Sequence, residues 1–292
     1  TQITAGQLDN RGSVAAKGAM TATTSTLNNS GTLQGQTLAA TGDVVENSGT
    51  LAADGALDVS AGTLTTGTDS TITAQGGVTL TAKTTADLGG QVNADKTLSV
   101  NAADLRTRQK AQLQSGSDMT LTAGNSATLN GTQTAKGALG VTAKTLSHGG
   151  KSSAASIALT SPENITNSGT LVADALNLSS AQLTNGGLLQ GTQALNLQTG
   201  QLDNLTGGTL YSARNLTFDI PGLNNGGLIA TDGDLFLHGD ALTNEGELNG
   251  VNLFSDYHRL TSNGRLLADG QLTLTADSIR NAGLVAANTT AV

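Results

Sequence analysis

The stretch VENSGTLAADGALDVSA, residues 45–61, decides the fold, because each of its features recurs along the chain. It opens with an apolar residue (Val45), an asparagine two places later (Asn47), a glycine and a leucine (Leu51). An alternating apolar pair, Leu57 and Val59, follows. The same opening recurs as LDNRGSV at 8–14, LNNSGTL at 27–33, ITNSGTL at 165–171, LTNGGLL at 183–189, LNNGGLI at 223–229, LTNEGEL at 242–248 and IRNAGLV at 279–285. Neighbouring copies mostly begin at a nearly constant interval, and a fixed period of about 20 residues is typical of solenoid proteins.

Apolar residues alternate with Thr, Ser, Gln, Asp and Lys inside each copy, which predicts short β-strands rather than helices. Gly, Asn and Asp bound these strands and favour tight turns. A single copy cannot bury its apolar side alone, whereas stacked copies can place leucine on leucine. The sequence therefore predicts an all-β fold, a single parallel β-helix (β-solenoid) of about fifteen coils of 18–21 residues.

The middle of the chain departs from the pattern but belongs to the same ladder. Residues 64–104 and 105–145 align at an offset of 41, which predicts an internal duplication with divergent coils over 64–145. Both ends fall within the pattern, so we expect one continuous β-helix over 1–292 with further coils flanking it.

An asparagine two places after each apolar anchor is predicted to form a structural ladder, because stacked amides can hydrogen-bond along the axis. Its members are Asn10, Asn29, Asn47, Asn167, Asn185, Asn204, Asn225, Asn244 and Asn281. Thr66, Thr107 and His148 replace it in the middle. This replacement indicates either a distinct surface or a different type of turn.

Composition limits the classes of function. The chain has no cysteine, so disulfides and thiol chemistry are excluded. A net charge of −8 argues against a nucleic-acid-binding surface, although residues 83–151 carry eight Lys or Arg against four Asp or Glu. No apolar run is long enough for membrane insertion.

Four of the five aromatic residues are predicted to form a partner-contact surface: Tyr211, Phe236, Phe254 and Tyr257. Phe236 and Phe254 each adjoin an inward leucine and should therefore point outward, whereas Phe218 occupies a core position. Exposed rings on a surface of Thr, Asn and Asp suit contact with a protein or a glycan. The alternative is that a neighbouring loop, such as residues 254–260, covers them.

No catalytic, cofactor-binding or metal site is predicted. The carboxylates are scattered over the coils, and the pair Asp232 and Asp234 lies in a Gly-containing turn. None of the three histidines has the spacing of a metal ligand. A polysaccharide-active β-helix (lyase or glycosidase type) stays as the alternative and predicts sugar in an acid-lined groove. An ice-binding solenoid would need regular T-x-T faces, and here these are scattered.

The repeats LNNSGTLQG, VENSGTLAADGALDVSA and ITNSGTLVADALNLSS closely resemble those of filamentous haemagglutinin and related two-partner-secreted exoproteins of Gram-negative bacteria. This family includes adhesins and the stalks of contact-dependent growth-inhibition toxins. The resemblance implies a right-handed β-helix, export by an outer-membrane partner transporter and display on the cell surface. The expected function is a monomeric, non-enzymatic stalk or adhesive rod that displays a receptor-binding or toxin region. A target-cell receptor or glycan is the expected partner.

Overall fold

A computed structural model describes residues 1–291, with side chains through residue 289. The described residues form parallel strands in about 15 turns and contain no helix, which confirms the predicted β-solenoid. They divide into two compact units, Thr1–Ala155 and Ser156–Val292. One continuous β-helix over 1–292, and the duplication over 64–145 as a domain feature, stay predictions.

The strands follow one another along the chain with short turns between them. Their bounds are β1 Gln2–Asn10, β2 Ser13–Ala15, β3 Met20–Asn29, β4 Thr32–Gly35, β5 Leu38–Asn47, β6 Thr50–Ala53, β7 Leu57–Thr66, β8 Thr71–Ala74, β9 Val78–Ala82, β10 Thr85–Leu88, β11 Gln91–Ala94, β12 Leu98–Thr107, β13 Gln112–Ser115, β14 Met119–Leu129, β15 Thr132–Ala135, β16 Ala138–Thr142, β17 Thr145–His148, β18 Lys151–Thr160, β19 Asn164–Asn167, β20 Thr170–Asn185, β21 Leu188–Asn204, β22 Thr209–Ser212, β23 Leu216–Asp219, β24 Gly222–Asn225, β25 Leu228–Thr231, β26 Leu235–Asn244, β27 Glu247–Gly250, β28 Leu253–Ser262, β29 Arg265–Ala268, β30 Gln271–Thr275, β31 Ser278–Asn281, β32 Leu284–Ala286 and β33 Thr289–Ala291.

The first unit shows the regular coil in β3 to β6. A ten-residue strand is followed by a four-residue strand, and each pairs in parallel with its counterpart one coil later. Leu27 pairs with Val45, and Leu33 pairs with Leu51. All four of these side chains are fully buried. Equivalent apolar residues therefore stack in continuous columns, which is how a solenoid builds a core without large rings.

The second unit repeats the plan. Strands β26 and β28 pair in parallel, with Leu235 opposite Leu253 and Leu242 opposite Leu260. These leucines are at most 1% exposed. After the first leucine of each strand, outward Phe236 and Phe254 alternate with inward Leu237 and Ser255, as a strand requires.

The divergent coils of the first unit alternate in length. Leu64 pairs with Ala86, and Ala86 pairs with Leu105, so a longer coil is followed by a shorter one. Leu105 then pairs with Ala127, and Ala127 pairs with Leu146, which repeats the longer and the shorter coil in the same order. The offset seen in the sequence therefore corresponds to two coils of unequal length.

The glycine of the N-x-G turn is explained by close stacking of successive turns. A Cβ built on Gly49 would collide with the backbone oxygen of Gly31, and one built on Gly31 would collide with that of Gly12. The amide of Thr50 also donates to the Gly31 oxygen at 2.8 Å. Only a residue without a side chain lets the turns approach closely enough for this bond.

Candidate functional site

A groove of 460 Å³ lies on the outer face of the second unit, over β23, β26, β28 and β30. Parallel register arranges its outward side chains in two rows. The first row is Thr217, Phe236, Phe254 and Thr273. The second row is Asp219, His238, Asp256 and Thr275. The two rows stand two residues apart on every strand, which places aromatic and charged side chains on one face.

The rings of Phe236 and Phe254 stack on each other in the groove. Their centroids are 5.1 Å apart and their planes differ by 10°. Both side chains are partly exposed. The outward direction follows from strand alternation, but the contact between the rings depends on register, which places one ring directly beside the other in successive coils.

The charged row is centred on His238. Its Nδ1 lies 2.9 Å from Oδ1 of Asp219, and the two side chains are 66% and 83% exposed. The hydrogen bond to Asp219 raises the pKa of His238, and the negative charges of Asp219, Asp256 and Asp240 act in the same direction. Among the described residues, the Asp256 carboxylate has no hydrogen-bond partner. It is therefore a free acceptor at the edge of the groove.

A second acid–histidine row lies beside the first. Nδ1 of His258 lies 3.1 Å from Oδ2 of Asp277, and Nε2 lies 4.0 Å from Oδ1 of Asp240. All three side chains are at least 71% exposed. The sequence interpretation missed both rows, although acid and histidine fall at equal positions in successive repeats.

The prediction that Tyr257 is a surface residue is wrong. Tyr257 is 1% exposed and its hydroxyl donates to the backbone oxygen of Ile220 at 3.0 Å. Burial raises the pKa of Tyr257 well above its usual range, and the charges of Asp219 and Asp240 add to this. Alternation in β28 continues inward through Leu253, Ser255 and Tyr257. In the register position one coil earlier, Gly239 leaves space for the ring, since a Cβ there would lie 2.7 Å from Cε1 of Tyr257.

Tyr211 is partly exposed but lies outside the groove, on β22. Its hydroxyl donates to Oδ2 of Asp232 at 2.6 Å, and this hydrogen bond raises the pKa of Tyr211. The structure therefore brings together two of the four predicted contact residues, Phe236 and Phe254. Phe218 is fully buried beneath them, as its core position implies.

The asparagine row forms hydrogen bonds between successive coils. Amide nitrogens donate to the next amide oxygen at 2.7–2.9 Å in the pairs Asn10–Asn29, Asn29–Asn47, Asn167–Asn185, Asn185–Asn204, Asn204–Asn225 and Asn225–Asn244. Asn244 donates to Ser262 at 3.3 Å, and Asn281 is exposed and donates to the Gly283 oxygen. The other ladder members are at most 6% exposed, so the row is an interior, structural feature.

The replacements in the first unit also lie in the interior. Thr66, Thr107 and His148 are at most 1% exposed. Nε2 of His148 lies 2.9 Å from Oγ of Ser152, which donates to Oε1 of Gln133 at 2.8 Å. The hydroxyls of Thr66 and Thr107 accept from the turn amides of Gly89 and Gly131. The change therefore affects the core rather than the surface.

The acid pair Asp232 and Asp234 does not form a two-carboxylate site. Asp232 accepts from Tyr211, and Asp234 accepts from Nδ2 of Asn252 at 2.7 Å, so the two acids of this turn bond to different partners. Within residues 1–291, no three His, Cys, Asp or Glu side chains are grouped so as to hold a metal ion. The same residues contain no helix with the length and hydropathy of a membrane span.

Stacked parallel coils with inward leucine columns and an interior amide row define a β-solenoid repeat protein. The model of the haemagglutinin repeat matches residues 1–45, 44–102, 73–131, 97–169, 165–253 and 252–292. The chain therefore belongs to the haemagglutinin repeat family.

Curated relatives match part of the chain. A protein named Toxin CdiA from Escherichia coli is 38% identical over 106 residues, which is 36% of this chain and 3% of that protein. A protein named tRNA nuclease CdiA, from Escherichia coli O6:K15:H31, is 40% identical over the same length and shares. A protein named 16S rRNA endonuclease CdiA, from Enterobacter cloacae, is 40% identical over 81 residues, which is 28% of this chain and 2% of that protein. The match thus spans only a few per cent of each relative, and no solved structure matches.

Proposed function

We propose that this chain is a stalk segment of a secreted exoprotein on the surface of a Gram-negative bacterium. It holds a receptor-binding or toxin region away from the cell, and an outer-membrane transporter of the two-partner type exports it. The observation that carries the proposal is the haemagglutinin repeat over the whole chain, folded as stacked coils whose polar interior bonds are structural. Each added coil lengthens such a stack by about 4.8 Å.

The nuclease activities in the relatives' names are not proposed for this chain. The matched part is 2–3% of each relative, and among the described residues no three His, Cys, Asp or Glu side chains are grouped so as to hold a metal ion. The haemagglutinin repeat match gives no support to the polysaccharide-active alternative.

The stalk role can be tested by exchange. The repeat segment of a CdiA protein is replaced by this chain, with an epitope tag after it, and the tag is located on intact cells by electron microscopy. We expect export and a tag held off the membrane, at a distance that shortens when all of the roughly fifteen coils of this chain are deleted. A tag retained inside the cell, or one whose distance does not change with coil number, would contradict the proposal.

An adhesive role of the chain itself is the second part of the proposal, and the exposed Phe236–Phe254 groove supports it. Labelled protein is added to intact bacterial and host cells beside a Phe236→Ser/Phe254→Ser variant. Saturable binding that the variant lacks supports adhesion. If neither protein binds any cell, the chain is a passive spacer.

A further inference from the structure

We propose that the groove over Phe236 and Phe254 binds a protein segment in which an arginine or lysine stands two residues from a large apolar side chain. This inference does not depend on the stalk role, but it rests on the adhesive role proposed for the same groove and names the chemistry of its partner. It rests on three properties of the groove: an apolar floor, a rim with more carboxylates than cationic groups and the distance between them.

The apolar floor suits a side chain better than a sugar. The Phe236 and Phe254 rings cover each other's inner faces, since they are nearly parallel at 5.1 Å. A sugar stacks on a free ring face, whereas an aliphatic side chain packs equally well against ring edges. The short side chains of Thr217 and Thr273 at either end leave open a groove of 460 Å³. That volume can accommodate one or two large apolar side chains.

The rim selects for positive charge. Asp219 and Asp256 line the groove, and no lysine or arginine is among its described lining residues. His238 is hydrogen-bonded to Asp219 and also interacts with Asp256, whose carboxylate accepts no hydrogen bond from a described residue. Asp240 adds a third negative charge near His238. Carboxylates at the edge of an apolar patch attract a guanidinium or ammonium group and repel acidic partners.

The spacing fits an extended peptide. Phe236 and His238, like Phe254 and Asp256, are two residues apart on one strand face. Two residues of strand span about 7 Å. Side chains at positions i and i+2 of an extended ligand are separated by the same distance, so one can contact the rings while the other reaches a carboxylate.

The probe is a labelled eight-residue peptide in which serine separates alternating leucine and arginine residues, followed by fluorescence anisotropy at low ionic strength. The comparison peptide has citrulline, which is neutral and of similar shape, in place of arginine. We expect the arginine peptide to bind about tenfold more tightly. The Asp219→Asn/Asp256→Asn variant should lose this difference, whereas Phe236→Ser/Phe254→Ser should weaken the binding of both peptides.

A matched control removes two aspartate charges from a surface far along the chain from the groove. Asp54→Asn/Asp58→Asn, at exposed positions of the first unit, should bind the arginine peptide like the parent protein. Circular dichroism and thermal unfolding confirm that each variant is folded. Equal affinity for the two peptides, no binding of either, or preferred binding of maltohexaose that survives the Asp219→Asn/Asp256→Asn change would overturn the proposal.

Discussion

Buried asparagines of the interior amide row link successive coils through side-chain hydrogen bonds that water cannot reach or replace. Asn185 accepts from Asn167 at 2.8 Å and donates to Asn204 at 2.9 Å, and it is fully buried. Asn185→Ala removes both bonds and leaves the buried amide oxygen of Asn204 without its donor. We expect it to lower the free energy of unfolding by about 1–3 kcal/mol, measured by urea denaturation.

An exposed amide pair of the same geometry provides the control. Asn196 donates to Asn177 at 2.8 Å across two coils, but at the surface. Water can replace that bond, so Asn196→Ala should change the free energy of unfolding by less than about 0.5 kcal/mol. Equal effects of the two substitutions would mean that the interior row contributes no more than a surface hydrogen bond.

The protonation of His238 depends on its acidic neighbours. Because Asp219 raises the pKa of His238, the pair stabilises the folded chain fully below the unfolded pKa of about 6.5. This contribution is lost as pH rises through the higher folded pKa. We expect Asp219→Asn to lower the pKa of His238 in an NMR titration, and Asp240→Asn to lower it less. An unchanged pKa in Asp219→Asn would show that the pair does not form in solution.

At the scale of the strand and its turn, the glycine of each N-x-G motif is fixed by the turn beneath it. Gly49→Ala places a methyl group against the Gly31 oxygen, and we expect a loss of about 1–3 kcal/mol of stability. A Cβ built on Gly140, inside β16, meets no atom within 4 Å, so Gly140→Ala should be neutral or slightly stabilising. Urea midpoints compare the two variants directly, and a destabilising Gly140→Ala would point to a general intolerance of alanine.

Alternation and repeat spacing predicted the strands, the buried leucines and the outward direction of Phe236 and Phe254. The sequence interpretation placed Tyr257 in the partner-contact surface and so misplaced it. Counting alternation from Leu253 and noting Gly239 one coil earlier would have found its position. The stacked rings and the Asp219–His238–Asp256 row could not be derived from one repeat, because contacts across coils depend on register.

At the scale of the whole molecule, the recurrence of one longer and one shorter coil predicts that coils can be removed in pairs. Deletion of residues 64–104 joins Thr63 to Leu105, which occupies the same core column as Leu64. We expect this variant to keep its strand spectrum by circular dichroism and to unfold near the parent's midpoint, since neighbouring coils keep equivalent contacts. Deletion of residues 64–94 instead joins Thr63 to Asp95, so that an aspartate takes the core position of Leu64. This variant should lose cooperative unfolding. If both deletions behave alike, matching of the columns is not what specifies the register.

The regular register also determines the order in which the chain can fold. Leu27 pairs with Val45, and Leu235 pairs with Leu253, so each core position meets its partner in the very next coil. A coil can therefore pack as soon as the residues of the next coil become available, and it needs no contact with a distant segment of the chain. A chain that emerges end-first from a narrow opening can fold on the far side while the rest is still extended. Because a closed coil is wider than an extended chain, folding on the far side would oppose movement of the chain back through such an opening.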